Sequence, residues 1–253
     1  MKFCVLASGS KGNSIFIESY HSRILVDAGL SAKKIRERLA QIDVDADSID
    51  AIVVTHAHSD HVRGIGQFAF RYNAPVYAHP DTLDAIATRL KPNQISVPWE
   101  REFTINDFNF SPFRLSHDCQ PTYGYLIREN SKSLAICTDL GMATSTVAEI
   151  LQGADGLVLE SNHDPAMLMN GPYAWYLKER IASRLGHLSN YDSGNLLNRV
   201  IHPRLMKVIL GHLSDENNTG EIALSTVLEI VGARMEHLIE VIEQGQMSGV
   251  IDL

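Results

Sequence analysis

The chain has 253 residues, 45% of them hydrophobic, and a formal charge of −8 at pH 7. That length suits one α/β domain spanning residues 1–253, and the negative charge excludes an extended, non-specific grip on nucleic acid, which needs many cations facing phosphates. No run of 18 apolar residues occurs and no basic segment precedes a long apolar stretch at the N-terminus, so a soluble, cytoplasmic protein without a membrane partner is expected.

Apolar runs at 2–6, 15–18 and 23–27, separated by turns rich in Gly, Ser, Asn and His, predict a meander of short strands. Helical periodicity follows over 31–41 with Ser31 as a cap, then a strand over 51–55. A helix starts near Asp60 and runs through Gly64 to Arg71. Strands are predicted at 75–78, 102–104, 108–116, 122–129, 134–138 and 156–159, with helices at 80–89 and 144–152. The last third reads as helices near 173–185, 190–201 and 218–232 and strands at 206–210, 237–243 and 249–253. From this pattern the fold class is layered α/β.

Directly after the fourth strand come His56, Ala57, His58, Ser59, Asp60 and His61. Crowded imidazoles and a carboxylate at the mouth of a buried strand need a cation to compensate them. His56 and His58, two apart in an extended segment, point to one side and can reach one ion. Asp60 and His61, past the turn, face a second. Three later strands end the same way, in His117, Asp139 and His212. Open sheets place their functional groups at such carboxyl ends.

H-x-H-x-D-H, a lone His, a lone Asp and a late His together resemble the dinuclear hydrolases of the metallo-β-lactamase superfamily. Asp27, closing Ile24-Leu25-Val26, resembles that superfamily's strand-ending structural Asp. The segments Ser8–Ser14 and Glu160–Asp164, and the phrase Gly-His-Leu-Ser at both 186–189 and 211–214, are similar to the YycJ-like (WalJ) branch. The resemblance implies a four-layer αββα sandwich and a metal-dependent hydrolase, a phosphodiesterase or DNA exonuclease. It also implies that His56, His58 and His117 hold one ion and Asp60, His61 and His212 another, with Asp139 between them and a bridging hydroxide as nucleophile. The cofactors expected are two divalent ions, zinc or manganese, with iron also compatible with these donors. Nucleic acid or another phosphodiester is the expected substrate. The alternatives are a thioesterase of the glyoxalase II kind and an RNA-processing phosphodiesterase. An acidic residue would stand at His58 in a di-iron oxygen-reducing relative. The 72 residues between Asp139 and His212 leave no room for the inserted domain of β-CASP nucleases.

Two residues are expected to carry the reaction, Asp60 within the ion cage and His187. The ligands leave no proton donor free for the departing oxygen, and His187 sits just before a helix, where it could protonate that oxygen or simply hydrogen-bond in the loop beside Ser189. Ser10, Asn13, Asn162, His163, His187 and Ser189 are candidate substrate contacts. The glycine-rich turn that holds the first two reads equally well as a plain turn. Between Lys178 and Lys207 six basic residues stand against two acidic ones, either as solvated helix faces or as a phosphate-tracking surface. Three cysteines without C-x-x-C spacing give neither a disulfide framework nor a thiolate metal site. Cys4 and Cys137 read as core thiols, Cys119 as a packed thiol close to His117. His21, His79, His202 and His237 read as structural or surface residues.

Overall fold

The computed structural model describes residues 1–253. Strands β1 (Lys2–Ala7), β2 (Ser14–Glu18), β3 (Arg23–Val26), β4 (Ala51–Val53), β5 (Val76–Ala78) and β6 (Ser96–Pro98) form one sheet in chain order. A second sheet contains β7 (Phe103–Ile105), β8 (Phe108–Arg114), β9 (Tyr123–Glu129), β10 (Lys132–Cys137), β11 (Gly156–Glu160), β12 (Lys207–Gly211) and β13 (Ile239–Val241). The final strand, β14 (Ile251–Asp252), returns to the free edge of β1. In both sheets antiparallel hairpins give way to parallel pairing at the strands that precede the His and Asp positions, namely β3·β4, β10·β11 and β11·β12.

Alternation along each strand sorts the apolar side chains into three cores. Phe3, Val5, Ile24, Val26 and Val53 meet Phe110, Tyr125, Ile136, Val158 and Ile209 between the sheets. On the outer face of the first sheet, Leu6, Leu25 and Ile52 pack under α1 (Ala32–Ala40), α2 (Ser59–Val62), α3 (Ile65–Arg71) and α4 (Pro80–Ile86). Beyond the second sheet, Ala135, Leu157 and Leu210 pack under α5 (Ser145–Leu151), α8 (Asn190–Val200) and α9 (Gly220–Val231). Strands buried on both faces read as unbroken apolar runs, and the result is the four-layer αββα sandwich. No helix is long and apolar enough to cross a membrane.

Several expectations need correction. The helix expected from Asp60 to Arg71 is two pieces, because the Gly64 amide donates to Ala28 O (2.8 Å) and not along a continuous helix. The helix expected over 173–185 is shorter, α7 (Trp175–Ile181), and is preceded by α6 (Pro165–Asn170), which lacks a long apolar periodicity. The strand expected over 237–243 starts as a 3-10 turn ending at Leu238, and only Ile239–Val241 pairs. The edge strand β6 escaped notice because its side chains are half-buried or exposed and it ends in Pro98.

One glycine sets the distance between two loops of the site. A Cβ at Gly29 would lie 1.6 Å from the Asp60 carbonyl oxygen, and the Gly29 amide donates to Asn13 O (2.8 Å). Gly29→Ala must push the Asp60 loop outward. The expected results are destabilisation of about 1–3 kcal/mol and a melting temperature lower by roughly 5 °C, together with weaker divalent-ion retention. A thermal melt and elemental analysis check both.

Candidate metal centre

The strands end by delivering polar side chains across the top of the sandwich. Asp27 follows β3 and accepts from Thr55 N (2.9 Å), Thr55 Oγ1 (2.8 Å) and His61 Nδ1 (2.7 Å). It organises the loop after β4. Asp27, Asp139 and His212 all adopt left-handed backbone, with φ of 62°, 63° and 57°. Such residues cost of order 1–3 kcal/mol each and persist where the surroundings over-determine them, as they do at functional sites.

The convergence is close. Ligand-type atoms of His56, His58 and His117 lie within 4.8 Å of one another, as do those of Asp60, His61 and His212, and those of His56, His61 and Asp139. Asp139 stands between the two triads, with Oδ1 3.3 Å from His212 Nε2 and Oδ2 3.2 Å from His61 Nε2.

Hydrogen bonds behind the rings fix which nitrogen faces inward. His117 Nδ1 donates to Gly186 O (3.0 Å), a carbonyl that can only accept. His61 Nδ1 donates to Asp27 and His212 Nδ1 to Glu160 Oε1 (2.8 Å). Thr55 Oγ1 spends its proton on Asp27, so it accepts from His56 Nδ1 (3.0 Å). Four rings therefore turn Nε2 toward the cluster. His58 is reversed, its Nδ1 lying 3.3 Å from His117 Nε2 while its Nε2 points toward Asp118 Oδ1 at 3.6 Å.

The electrostatics are those of a cation site. Burial, reinforced by His61, pushes the His56 imidazole well below its ordinary pKa, and burial with His117 lowers His58. Burial opposes charge on His61 and His212 too, but Asp139 overrides it and pulls both well up. Asp60 and Asp139 fall well below the usual carboxylate range despite burial, because imidazoles surround them. Buried carboxylates thus recruit positive charge to this spot. His56 Nε2, His212 Nε2 and Asp139 Oδ2 are buried and have no hydrogen-bond partner, Asp139 Oδ2 being near His61 but not aligned with it. Each such group costs about 1–3 kcal/mol if nothing meets it. Three orphaned atoms aimed at one volume, in a nitrogen-rich set with carboxylates, fit divalent metal ions.

Beside the cluster lies a cleft of about 230 Å³ whose wall includes Asp139, His187, Tyr173, Leu177 and Arg180. Of the candidate substrate contacts, Ser10, Asn162 and His187 line it, whereas Asn13, His163 and Ser189 do not. Asn13 is buried against the ligand atoms themselves, with Nδ2 3.1 Å from Asp60 Oδ2 and 2.9 Å from His61 Nε2. His163 is buried, which pushes its imidazole down to about 4. Ser189 caps α8, its Oγ accepting from Asp192 N (3.1 Å). Of the basic residues between Lys178 and Lys207, only Arg180 reaches the cleft. Lys178 is buried with Nζ on Met169 O, and Lys207 pairs with Glu240. Arg184 and Arg199 line a separate depression beside α8.

The sequence shows Glu160 only as a polar residue after a strand that could line the cleft, and does not single out Asp118. Glu160, fully buried at the end of β11, accepts from His187 Nδ1 and His212 Nδ1 through Oε1 (both 2.8 Å), and from Leu140 N (3.0 Å) and Leu188 N (3.2 Å) through Oε2. Burial opposes its charge, yet His187 and His212 hold it down at about 2. It carries the same signal as the other site residues, a polar side chain closing an apolar strand. Asp118 lies 3.4 Å from His117 Nε2 through Oδ1 and accepts from Arg180 Nε (2.5 Å) through Oδ2.

The repeated Gly-His-Leu-Ser phrase has a structural meaning. Its two histidines donate to the same oxygen of Glu160. Asn162 stitches the two turns together, its N donating to Leu188 O (2.9 Å), its O accepting from Ser214 N (2.8 Å) and its Nδ2 donating to His212 O (2.8 Å).

The model of the beta-lactamase superfamily domain matches residues 22–208. The chain belongs to the metallo-β-lactamase superfamily. It is 40% identical over 233 residues to the exodeoxyribonuclease WalJ of Streptococcus pneumoniae, covering 90% of this chain and 87% of that protein. Similarity to the exodeoxyribonuclease YycJ of Bacillus anthracis is 35% over 239 residues, 91% of this chain and 89% of the other. Among solved structures, the metallo-β-lactamase fold protein YhfI of Bacillus subtilis superposes with a TM-score of 0.76 over 98% of both chains at 17% identity, which speaks for the fold. Membership in this superfamily implies binding of divalent metal, and the His and Asp clusters are where this chain could hold it. No inserted domain separates Asp139 from His212; the interval holds α5, β11, α6, α7, α8 and β12.

Proposed function

We propose that this chain is a metal-dependent phosphodiesterase that removes nucleotides from the ends of DNA, acting as a single cytoplasmic domain. The observation that carries the reading is the ring of inward-facing imidazole nitrogens around Asp139, each held from behind by a fixed acceptor. The similarity to two exodeoxyribonucleases over nine-tenths of the chain supports the choice of DNA. The central core shared by both sheets supports one domain, and three unpaired cysteines suit a reducing compartment.

On this reading His56, His58 and His117 hold one ion, Asp60, His61 and His212 hold the second, and Asp139 serves both. The nitrogen-rich donors suit zinc, and manganese and iron are bound by the same groups. Divalent ions so held supply Lewis acidity and an activated water for in-line displacement at phosphorus.

The chain's own residues supply the rest. Arg180 places a guanidinium at the mouth of the cleft, where an incoming phosphate competes with Asp118 for it. Leu177 and Ile181 form an apolar wall that thins the water around the anion. His187 gives its Nδ1 proton to Glu160, leaving Nε2 as the ring atom that carries or releases a proton into the cleft. Burial opposes charge on His187, but Glu160 outweighs it and raises the imidazole above its ordinary pKa. A proton at Nε2 is therefore held more firmly than on a free imidazole and can be passed to the departing oxygen.

His187→Ala is expected to cut kcat about 100-fold on an alkyl-leaving diester such as DNA while metal content stays at the wild-type value. Full turnover in that variant removes the proton-donor assignment. The overall reading is tested with protein reconstituted separately with Mn²⁺ and Zn²⁺ and offered bis(p-nitrophenyl) phosphate, end-labelled DNA, RNA and S-lactoylglutathione. Stepwise shortening of DNA supports it. Thioester turnover without diester cleavage, or RNA cleavage without DNA cleavage, overturns it.

A further inference from the structure

A second cavity, of about 430 Å³, lies between α1 and α3 on the outer face of the first sheet, outside the ion cluster. Lys33, Arg36, Arg71 and Lys91 line it and no acidic residue does. Glu37 approaches Lys33 at 3.8 Å, whereas Arg36, Arg71 and Lys91 enter no ion pair. In a chain of net charge −8, four cations gathered in a concave surface without acids among them form a local site for a polyanion. Phe70 stands at its rim with 63% of its surface exposed. An apolar ring beside a basic groove is what a nucleic-acid strand uses, its phosphates meeting the cations and its bases stacking on the ring.

The cavity is also connected to the metal centre. Arg63, Gln67, Phe70 and Arg71 are the exposed residues of the segment that follows Asp60 and His61. Gln67, Phe70 and Arg71 lie on α3, which follows the ion ligands of α2 after the break at Gly64, so exposed residues lead along the chain from the metal centre to the basic cavity. At ~1.5 Å per residue the distance from Asp60 to Arg71 is at most about 16 Å, the break at Gly64 shortening it, and a stacked strand covers that with at most roughly five nucleotides at ~3.4 Å each. Arg63 is fixed at the upper end by donating to Lys11 O (3.2 Å).

Resting on the nuclease reading above, we propose that this cavity is an exosite for the DNA strand, gripping phosphates within about five nucleotides of the scissile end. It gives a negatively charged protein a local hold on a polyanion and favours substrates long enough to bridge both sites.

The experiment compares wild type with Arg36→Ala/Arg71→Ala/Lys91→Ala, all exposed positions, on a thymidine dinucleotide and a 20-nucleotide oligothymidylate. In wild type, kcat/KM on the 20-mer is expected to exceed that on the dinucleotide, with a rise that levels off beyond about six nucleotides. In the triple variant this ratio falls about tenfold, and the salt dependence of 20-mer binding becomes shallower by about 2 in log–log slope, at ~0.7 per phosphate lost. Arg36→Lys/Arg71→Lys, which keeps the charge, retains the preference for length and shows that charge and not shape is read. An unchanged ratio and slope in the triple variant overturn the exosite while DNA cleavage by wild type upholds the parent reading. A wild type that cleaves no DNA of either length overturns both.

Discussion

Asp139→Asn is expected to yield a folded protein that retains fewer than two divalent ions per chain and turns over diesters about 1,000-fold more slowly. The side chain is 1% exposed, and its two oxygens reach 3.3 Å and 3.2 Å toward His212 Nε2 and His61 Nε2. It is the one carboxylate that both proposed ion sites share. An amide keeps the shape but removes the charge and turns N–H donors toward the cations it should attract. Losing one shared anionic ligand removes several kcal/mol of charge stabilisation, and each ~1.36 kcal/mol is tenfold in rate. Elemental analysis and kcat on bis(p-nitrophenyl) phosphate are the measurements. A variant with two ions and wild-type turnover sinks the assignment of Asp139 as the shared ligand.

The second large effect is expected at a residue that touches no ion. Glu160→Gln should lower divalent-ion affinity 10- to 100-fold, as the loss of an orienting partner commonly does, and destabilise the metal-free protein by about 3 kcal/mol. Glu160 is fully buried and accepts four hydrogen bonds, two from imidazoles and two from backbone amides. Glutamine has one acceptor oxygen. Whichever way its amide turns, an NH₂ group faces two donors, and a buried donor without an acceptor costs about 1–3 kcal/mol. The loss also frees His212 to rotate and removes the charge that keeps the His187 proton in place, so kcat and metal retention should fall together. Chelator competition and chemical denaturation of metal-free protein measure the two parts. Unchanged affinity in a stably folded variant would show that the backbone alone orients His212.

These two residues mark where sequence reading succeeds and where it stops. Asp139 was legible because it closes an unbroken apolar run, and a charged side chain at the end of a strand buried on both faces has nowhere to go but the sheet's top edge. Glu160 carries the identical signal, at the end of Gly156–Glu160. It reads there as a polar cleft residue, and its role as orienting acceptor is not legible because its partners are 20 to 52 residues away in sequence. The same holds for Asp118, whose meaning depends on Arg180 of α7, 62 residues on. Asn13 reads in the sequence as a polar loop residue, and only the approach of Gly29 to Asp60 brings its amide against the Asp60 and His61 ligand atoms.

By itself the amino-acid order determined the layering and the chemistry. Unbroken apolar runs give strands buried on both faces, which need covering layers, and His56, His58, Asp60, His61, His117, Asp139 and His212 announce a cation site because imidazoles and carboxylates at strand ends are unstable without one. Only the tertiary structure decided which nitrogen each imidazole presents, which carboxylate orients them, and that a basic cavity forms between α1 and α3, outside the cluster. The physical reason is that ligand type is a property of a residue, whereas tautomer, orientation and unneutralised charge are properties of neighbours, and neighbours are set by packing.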